Sequence, residues 1–214
     1  MTHLAYEPGS TGLLIIDPYN DFISEGGKLY IYCEETIRAL DTVDNMEHVM
    51  KACRSAGIRV FIAPHHRWCK GDFLRWKHQP PAQAGASRTQ SFAEGTWGGQ
   101  FHPAFSPQEG DAVAQQHWVS SGFQNTDLDL LLRQSGVEKV IIIGMRANTC
   151  VDTTMRYAAE LGYHVTLVKD AIAAFSMDEV RVTVEINAPS YASEILSSAE
   201  VIARIAGSIQ KEER

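Results

Sequence analysis

The stretch Val140–Cys150, VIIIGMRANTC, joins an apolar run to a cysteine through a short turn that begins at Gly144. Four consecutive aliphatic residues are typical of a buried strand, and a helical pattern follows the cysteine. A thiol at the start of a helix meets free backbone N–H groups and the positive end of the helix dipole, and both favour the thiolate. The same N–H groups can hold a developing oxyanion. The stretch therefore predicts a buried strand that ends in a nucleophilic cysteine.

Strand-like and helix-like segments alternate along the rest of the chain. The predicted strands are apolar runs at 13–16, 59–63, 111–116, 139–144, 164–168 and 191–196. Helical spacing is found at 37–56, near 128–132, at 150–161 and at 178–188. A last helix through Ile202 and Ile205 is predicted to open at Ser197–Glu200, SSAE, which has the spacing of a capping box. This alternation predicts an α/β protein, a single three-layer α/β/α domain over residues 1–214 with a mostly parallel, Rossmann-like six-stranded sheet.

Residues 65–110 interrupt the alternation. They are rich in Gly, Pro, Gln, Trp and His, and they have no long periodic pattern. Structureless segments of this length are rare in compact domains unless they serve a function. We therefore interpret residues 65–110 as a long active-site excursion of the single domain.

Composition restricts the possible partners to small molecules. The net charge of -7 argues against a nucleic-acid partner, because phosphate binding favours a basic surface. No apolar run approaches the ~20 residues that cross a bilayer, so no membrane partner is expected. The four cysteines show no CxxC spacing, so neither a zinc site nor a disulfide framework is indicated. A reducing, cytoplasmic location is the expectation that follows.

Three chemically capable side chains follow predicted strands. Asp17 comes directly after the first strand, His117 after the third, and Cys150 a short turn after the fourth. Because the carboxyl ends of parallel strands share one edge of the sheet, we expect these side chains to converge. An acid, an imidazole and a thiol together predict nucleophilic catalysis. The alternatives are that Asp17 only caps a turn and that His117 is a core histidine.

Three motifs resemble those of the isochorismatase-like hydrolases, a superfamily of cysteine hydrolases that includes nicotinamidases. Leu14–Phe22 is similar to an apolar strand followed by D-x-x-N-D-F. Ser121–Phe123 with Thr126–Leu128 is similar to the S-A-F…T-x-L segment, and Gly144–Val151 is similar to the nucleophile motif. The motifs occur in the family's order, and the resemblance extends over roughly Thr11 to Ile205.

The resemblance implies roles for these residues. Cys150 would attack an amide or related C–N carbonyl to form a thioester, and Asp17 would take the thiol proton and later activate water. A cis Met145–Arg146 bond is implied, with the backbone N–H groups of Arg146 and Cys150 as the oxyanion hole. The resemblance also implies a homo-oligomer, a dimer or tetramer, and no cofactor.

Two positions depart from the family pattern. His117 stands where the family usually has a catalytic lysine, and it would serve as a hydrogen-bond donor or as a cation. Nicotinamidases have an Asp-x-His metal motif after the second strand, but this chain has Ala63–Arg67, APHHR, without an aspartate. Adjacent histidines on an extended segment point apart. We therefore predict no metal and do not expect nicotinamide as substrate.

The substrate side of the site is predicted from residue type alone. Four aromatic residues near the predicted strand ends are candidates for an apolar wall, and one arginine is a candidate for binding an anionic group or is a plain surface residue. These candidates are Tyr19, Phe22, Trp68, Trp118 and Arg146.

Other functions remain open at this point. The first is cleavage of the vinyl ether of isochorismate, for which a nucleophilic thiol is superfluous. The second is a redox protein in which Cys150 is oxidised, although no resolving cysteine lies near it in the sequence. The third is a noncatalytic binding protein, which the histidine at position 117 keeps open. A cysteine hydrolase acting on an amide, ureide or lactam is the favoured interpretation.

Overall fold

One parallel sheet organises the computed structural model, which describes residues 5–212. Its six strands lie in the order β3-β2-β1-β4-β5-β6. They are β1 (Thr11–Ile16), β2 (Arg59–Ala63), β3 (Ala112–Val113), β4 (Lys139–Met145), β5 (His164–Ala173) and β6 (Glu194–Leu196). The pairings between these six strands are all parallel. The predicted α/β fold is confirmed.

Helices cover both faces of the sheet. They are α1 (Asn20–Ile23), α2 (Tyr30–Ala39), α3 (Thr42–Ser55), α4 (Pro81–Thr89), α5 (Leu128–Gln134), α6 (Asp152–Glu160), α7 (Met177–Arg181) and α8 (Ser198–Glu212). Side chains alternate along β1, so that Leu13 and Ile15 pack under α2, α3 and α8, while Leu14 and Ile16 pack under α5 and α6. Every residue of β1 is buried, as expected for a central strand between two helical layers.

The predicted helix at 37–56 is two helices. Its periodic pattern is continuous because α2 and α3 bury residues in the same core layer, including Ile37 and Met46. The chain breaks between them at Asp41, which has a left-handed backbone with φ of 49°. Such a conformation ends a right-handed helix. The prediction of one helix was therefore wrong, because the spacing of apolar residues does not reveal a single residue with a left-handed backbone.

Other boundaries differ at the edges of the sheet. The strand predicted at 111–116 pairs only at Ala112–Val113, and the one predicted at 191–196 begins at Glu194. The fifth strand is longer than predicted and reaches Ala173, with a register shift opposite the interval from Ile142 to Gly144. The helix predicted at 178–188 begins at Met177 and passes into a π-helical turn at 182–187.

The last helix begins as its sequence predicts. The backbone N–H of Glu200 donates to Ser197 Oγ at 3.3 Å, and the backbone N–H of Ser197 donates to Glu200 Oε2 at 2.7 Å. These reciprocal bonds are a capping box, which satisfies backbone donors that a helix start otherwise leaves without partners.

The 65–110 segment is more ordered than its composition predicts. It contains α4 and two short 3₁₀ turns, at Trp97–Gly99 and Pro103–Phe105. The buried Asp21 carboxylate ties the segment to α1, because it accepts from the backbone N–H of Phe92 at 2.6 Å. Its other oxygen accepts from the backbone N–H of Lys28 at 3.0 Å. The segment thus lies over the carboxyl edge of the strands, where it bounds the site described below.

The described residues form one layered unit around this sheet, and we propose that residues 1–214 are a single domain, with positions 1–4 and 213–214 outside the described part. None of the described helices has the length and apolar character needed to span a membrane.

Candidate active site

The ends of the strands bring Asp17, His117 and Cys150 together as predicted from the sequence. Asp17 follows β1, and its backbone N–H donates to Ala63 O at 3.2 Å. His117 continues the sheet beyond β2, because its N–H donates to Pro64 O at 2.9 Å and its carbonyl accepts from the N–H of His66 at 2.8 Å. All three side chains are buried, and one oxygen, nitrogen or sulfur atom from each lies within 4.8 Å of the other two.

Gly144 permits this close approach. It pairs with Ile16, the residue before Asp17, and has a φ of 124°. A Cβ at this position would lie 2.2 Å from the Ile16 carbonyl oxygen. Only glycine accepts both this conformation and this contact. The turn that carries Cys150 therefore rests directly against the strand end that carries Asp17.

His117 and Asp17 form a buried hydrogen-bonded pair. His117 Nε2 donates to Asp17 Oδ1 at 2.9 Å. Asp17 Oδ2 and His117 Nδ1 are buried and have no hydrogen-bond partner among the described residues. A neutral imidazole needs only the one donor that Asp17 receives, whereas an imidazolium would leave a second buried N–H without an acceptor. The geometry favours the donor role for His117 over the cationic role.

The Cys150 thiol is held in its protonated form. Burial raises its pKa well above the usual range, and the neighbouring Asp17 carboxylate raises it further. Hydrogen bonds from the Thr149 hydroxyl and the Arg146 backbone N–H oppose the rise without cancelling it. Cys150 lies in a π-helical turn, Ala147–Val151, ahead of α6. The expectation that the helix start favours a thiolate at Cys150 was therefore wrong, because burial and the Asp17 carboxylate raise the thiol pKa.

The turn also presents backbone donors to the thiol. The Met145–Arg146 peptide bond is cis, in agreement with the resemblance. The backbone N–H of Arg146 acts on the Cys150 thiol, whose pKa it lowers. A carbonyl carbon bonded to Sγ would therefore hold its oxygen near this donor, which is the position an oxyanion hole requires.

A cavity of about 550 Å³ gives access to Cys150. Its lining includes Phe22 and Phe175 on one side and residues of α4 on another, and Arg146, His65 and Thr149 contribute polar groups. A largely apolar cavity of this size with a few polar groups suits a small molecule. Two of the predicted substrate contacts, Phe22 and Arg146, thus lie at the cavity.

Arg146 has a fixed position with free donors. Its guanidinium carbon lies 3.8 Å from the centre of the Phe175 ring, and its Nε donates to Asn148 Oδ1 at 3.1 Å. Its two terminal nitrogens have no hydrogen-bond partner among the described residues. Arg146 therefore places an ordered guanidinium group at the cavity and is not a plain surface residue.

Three predicted substrate contacts are not brought to the cavity. Tyr19 is fully buried, and its hydroxyl donates to His65 O at 2.7 Å. The Trp118 ring stacks on the His66 ring with 3.7 Å between the ring centres, and both residues line a different groove. Trp68 also lies outside the cavity lining. Closeness to a strand end does not determine which way a side chain faces, and so these predictions require correction.

His65 is a cavity residue that the sequence analysis missed. Its Nδ1 donates to His66 O at 2.9 Å, and this fixes the tautomer. Burial, followed by the nearby His117, lowers the pKa of His65 to about 4, so the ring is neutral near pH 7. Nε2 is left as an acceptor without a partner among the described residues. The sequence signal was present, but the adjacent histidines were considered only as metal ligands.

The adjacent histidines serve separate purposes. His66 Nε2 lies 2.7 Å from Asp72 Oδ2, away from the buried His65 ring. Among the described residues, the one set of three or more His, Cys, Asp or Glu side chains with metal-ligand spacing is Asp17, His117 and Cys150. That no resident metal is required remains a prediction.

Comparisons with known proteins agree with this geometry. Ureidoacrylate amidohydrolase RutB of Agrobacterium fabrum is 26% identical over 182 residues, which are 78% of this chain and 78% of that protein. RutB of Serratia proteamaculans is 28% identical over 182 residues, 78% of this chain and 71% of that protein.

Solved structures show the same fold. A cysteine hydrolase from Pseudomonas syringae pv. phaseolicola 1448A matches with a TM-score of 0.79 and 26% identity. The match covers 97% of this chain and 100% of that chain. N-carbamoylsarcosine amidase from Thermoplasma acidophilum matches with a TM-score of 0.66 and 23% identity. The match covers 88% of this chain and 96% of that chain. The family model of the isochorismatase domain matches residues 11–200. The chain therefore belongs to the isochorismatase domain family.

Proposed function

We propose that this hydrolase, which acts on a C–N bond other than a peptide bond, works through a thioester on Cys150. The observation that carries the proposal is the buried cluster of Cys150, Asp17 and His117 at the end of a small-molecule cavity. A nucleophile, a base and a donor that positions the base are the parts that covalent acyl transfer needs.

The first half of the reaction forms the thioester. As Cys150 Sγ attacks the carbonyl carbon, the thiol proton passes to Asp17 Oδ2, which has no other hydrogen-bond partner among the described residues. The backbone N–H groups of Arg146 and Cys150 stabilise the oxyanion. The tetrahedral intermediate then collapses, the C–N bond breaks, and the leaving nitrogen takes the proton from Asp17.

The second half releases the acid. Asp17 accepts a proton from a water molecule as the water oxygen attacks the thioester carbonyl. The C–S bond breaks, the proton returns to sulfur, and the carboxylic acid leaves. His117 positions the Asp17 carboxylate throughout, because its Nε2–H occupies Oδ1 and leaves Oδ2 available.

The substrate we propose is a small amide, ureide or lactam that also carries an anionic group. Arg146 supports this, since its terminal nitrogens are unpaired at the cavity and an arginine binds a carboxylate in a bidentate manner. His65 Nε2 would accept from an N–H of the substrate. Ureidoacrylate, the substrate in the name of the relatives, has both features, an acid and a ureide.

The alternatives have less support. Cleavage of a vinyl ether does not use a buried thiol beside a base. A redox role requires a second thiol, and none of the other three described cysteines, Cys33, Cys53 and Cys69, lines the cavity. A noncatalytic role leaves the unpaired Asp17 Oδ2 without a purpose. We further propose that the protein acts in the cytoplasm as a homo-oligomer.

Turnover of a substrate panel tests the proposal. The panel contains small amides, ureides and lactams with and without a carboxylate, together with isochorismate and nicotinamide, and products are followed by mass spectrometry. We expect an anionic C–N substrate to be cleaved by the wild type and by the matched control Cys69→Ser, but not by Cys150→Ala. Cleavage of isochorismate alone, retained by Cys150→Ala, would overturn the proposal.

A further inference from the structure

The histidine at position 117 changes which ions the catalytic centre can bind. A lysine at this position would offer an ammonium, which has three donors and no lone pair. A histidine offers a neutral nitrogen ligand beside a carboxylate and a thiol. We propose that Asp17, His117 and Cys150 bind a zinc ion, and that the bound ion reversibly inhibits the enzyme.

The geometry supplies a three-ligand site. One donor atom from each side chain, a carboxylate oxygen, an imidazole nitrogen and the thiol sulfur, lies within 4.8 Å of the other two. Zinc bonds to these ligand types are about 2.0–2.3 Å long, which places tetrahedral ligands roughly 3.3–3.8 Å apart. A small side-chain rotation is therefore enough to enclose an ion. Asp17 Oδ2 is buried and has no hydrogen-bond partner among the described residues, so this oxygen is free to bind an ion.

The charge balance also favours an ion. The centre holds one negative charge when Asp17 is ionised and Cys150 is a thiol. Binding Zn²⁺ releases the thiol proton to solvent and moves the imidazole proton from Nε2 to Nδ1, which has no acceptor among the described residues. A carboxylate, a thiolate and a neutral imidazole then surround the ion, and the three bonds to zinc must outweigh the unpaired Nδ1–H. The sum of the charges is zero. A neutral buried centre is more stable than a charged one that lacks a partner.

Access and consequence follow from the cavity. Cys150 lines the cavity, so an ion can enter from it and can keep one open position there for water. The ion holds the sulfur lone pair that must attack the substrate and the Asp17 carboxylate that must accept a proton. Zinc at this position therefore blocks both functions, and a chelator restores them. This role is inhibitory, so it requires no resident metal for catalysis.

Cobalt substitution tests the site without any substrate, so the result does not depend on the proposed hydrolase activity. Metal-free protein is titrated with Co²⁺ and the thiolate-to-cobalt charge-transfer absorption is followed, then Zn²⁺ is added as competitor. We expect one ion per chain, displacement by Zn²⁺, and an increase in the melting temperature with Zn²⁺ because the ion binds only the folded state. The Cys69→Ser control, whose changed thiol contacts Glu94 outside the cluster, retains all three signals.

Variants of the ligands determine the outcome. Cys150→Ser is expected to lose the charge-transfer band, and His117→Asn and His117→Lys to weaken binding at least about tenfold. Circular dichroism establishes that each variant is folded, and His117→Asn serves where the buried lysine prevents folding. Cobalt binding that is unchanged in folded Cys150→Ser or His117→Asn, or a wild type that gives no thiolate band, would overturn the inference.

Discussion

His117 Nε2 donates a 2.9 Å hydrogen bond to Asp17 Oδ1, and the other oxygen of that carboxylate has no hydrogen-bond partner among the described residues. The bond to Oδ1 therefore fixes the orientation of the carboxylate, and Oδ2 is free to accept a proton. The Cys150 thiol, whose pKa is raised by burial and by Asp17, lies within 4.8 Å of this pair. A protonated thiol beside an ionised base can deliver its proton at the moment of attack.

Asp17→Asn is expected to change catalysis and thiol reactivity in opposite directions. Loss of the base lowers kcat by about 10²- to 10⁴-fold, as for other general bases. Loss of the negative charge lowers the pKa of Cys150, so that more thiolate is present at pH 8 and iodoacetamide alkylates it faster. The two rates are measured in buffer that contains a chelator.

The wild type has its own pH signature in this experiment. Because its thiol pKa lies well above the usual range, the alkylation rate is expected to rise continuously up to and beyond pH 9. Slower alkylation of Asp17→Asn than of the wild type at pH 8 would contradict the account of the thiol.

His117→Asn is expected to reduce kcat more than KM. The amide can donate to Asp17 but does not reproduce the position of the imidazole nitrogen, so the carboxylate is held less well while the cavity lining, which excludes His117, is unchanged. Steady-state kinetics and a thermal melt are the measurements.

His117→Lys serves as the informative companion to this variant, since it restores the family's residue and is expected to recover more kcat than His117→Asn. Equal losses in kcat and in melting temperature for both variants would show that His117 is only a core residue.

Arg146→Gln is expected to act on anionic substrates alone. A hydrogen bond to a charged group contributes about 1.5–3 kcal/mol, so kcat/KM for a carboxylate substrate should fall about 10- to 150-fold. A neutral amide of the same size should be cleaved with nearly unchanged kcat/KM, because the Arg146 backbone N–H remains. An equal loss of kcat/KM on both substrates would show that the Arg146 side chain does not recognise the anionic group.

Gly144→Ala and Gly207→Ala are expected to have opposite effects on stability. At Gly144 the new Cβ meets the Ile16 carbonyl oxygen at 2.2 Å in a backbone of positive φ, so the protein should be strongly destabilised. At Gly207, inside α8, nothing lies within 4 Å, and alanine should stabilise the helix by about 0.8–1 kcal/mol. Denaturant unfolding measures both. An unchanged stability of Gly144→Ala would contradict the close approach of β4 to the Ile16 backbone.

The sequence predicted the convergence of Asp17, His117 and Cys150 because the carboxyl ends of parallel strands meet at one edge regardless of detail. It did not predict that the thiol is protonated, since that depends on how deeply Cys150 is buried against Asp17. Dipole arguments consider the turn alone, whereas burial and the Asp17 charge act only on the packed thiol and raise its pKa.

The aromatic candidates illustrate a second limit. Phe22 lines the cavity, whereas Tyr19, three residues earlier, is fully buried and binds His65 O. Residue type and closeness to a strand end are the same for both, so only the path of the chain after β1 separates them. Similarly, α4 was not predicted in the 65–110 segment, because it is short and its apolar spacing is weak.

Intact-protein mass spectrometry of a rapidly quenched reaction tests the central claim most directly. The enzyme is mixed with a cleaved substrate and acid-quenched within one turnover. We expect an added mass equal to the acyl part of the substrate, located on the peptide that contains Cys150 and released by hydroxylamine. Turnover with full loss of substrate in the wild type, but no acyl adduct on Cys150 at any quench time within the first turnover, would contradict covalent catalysis.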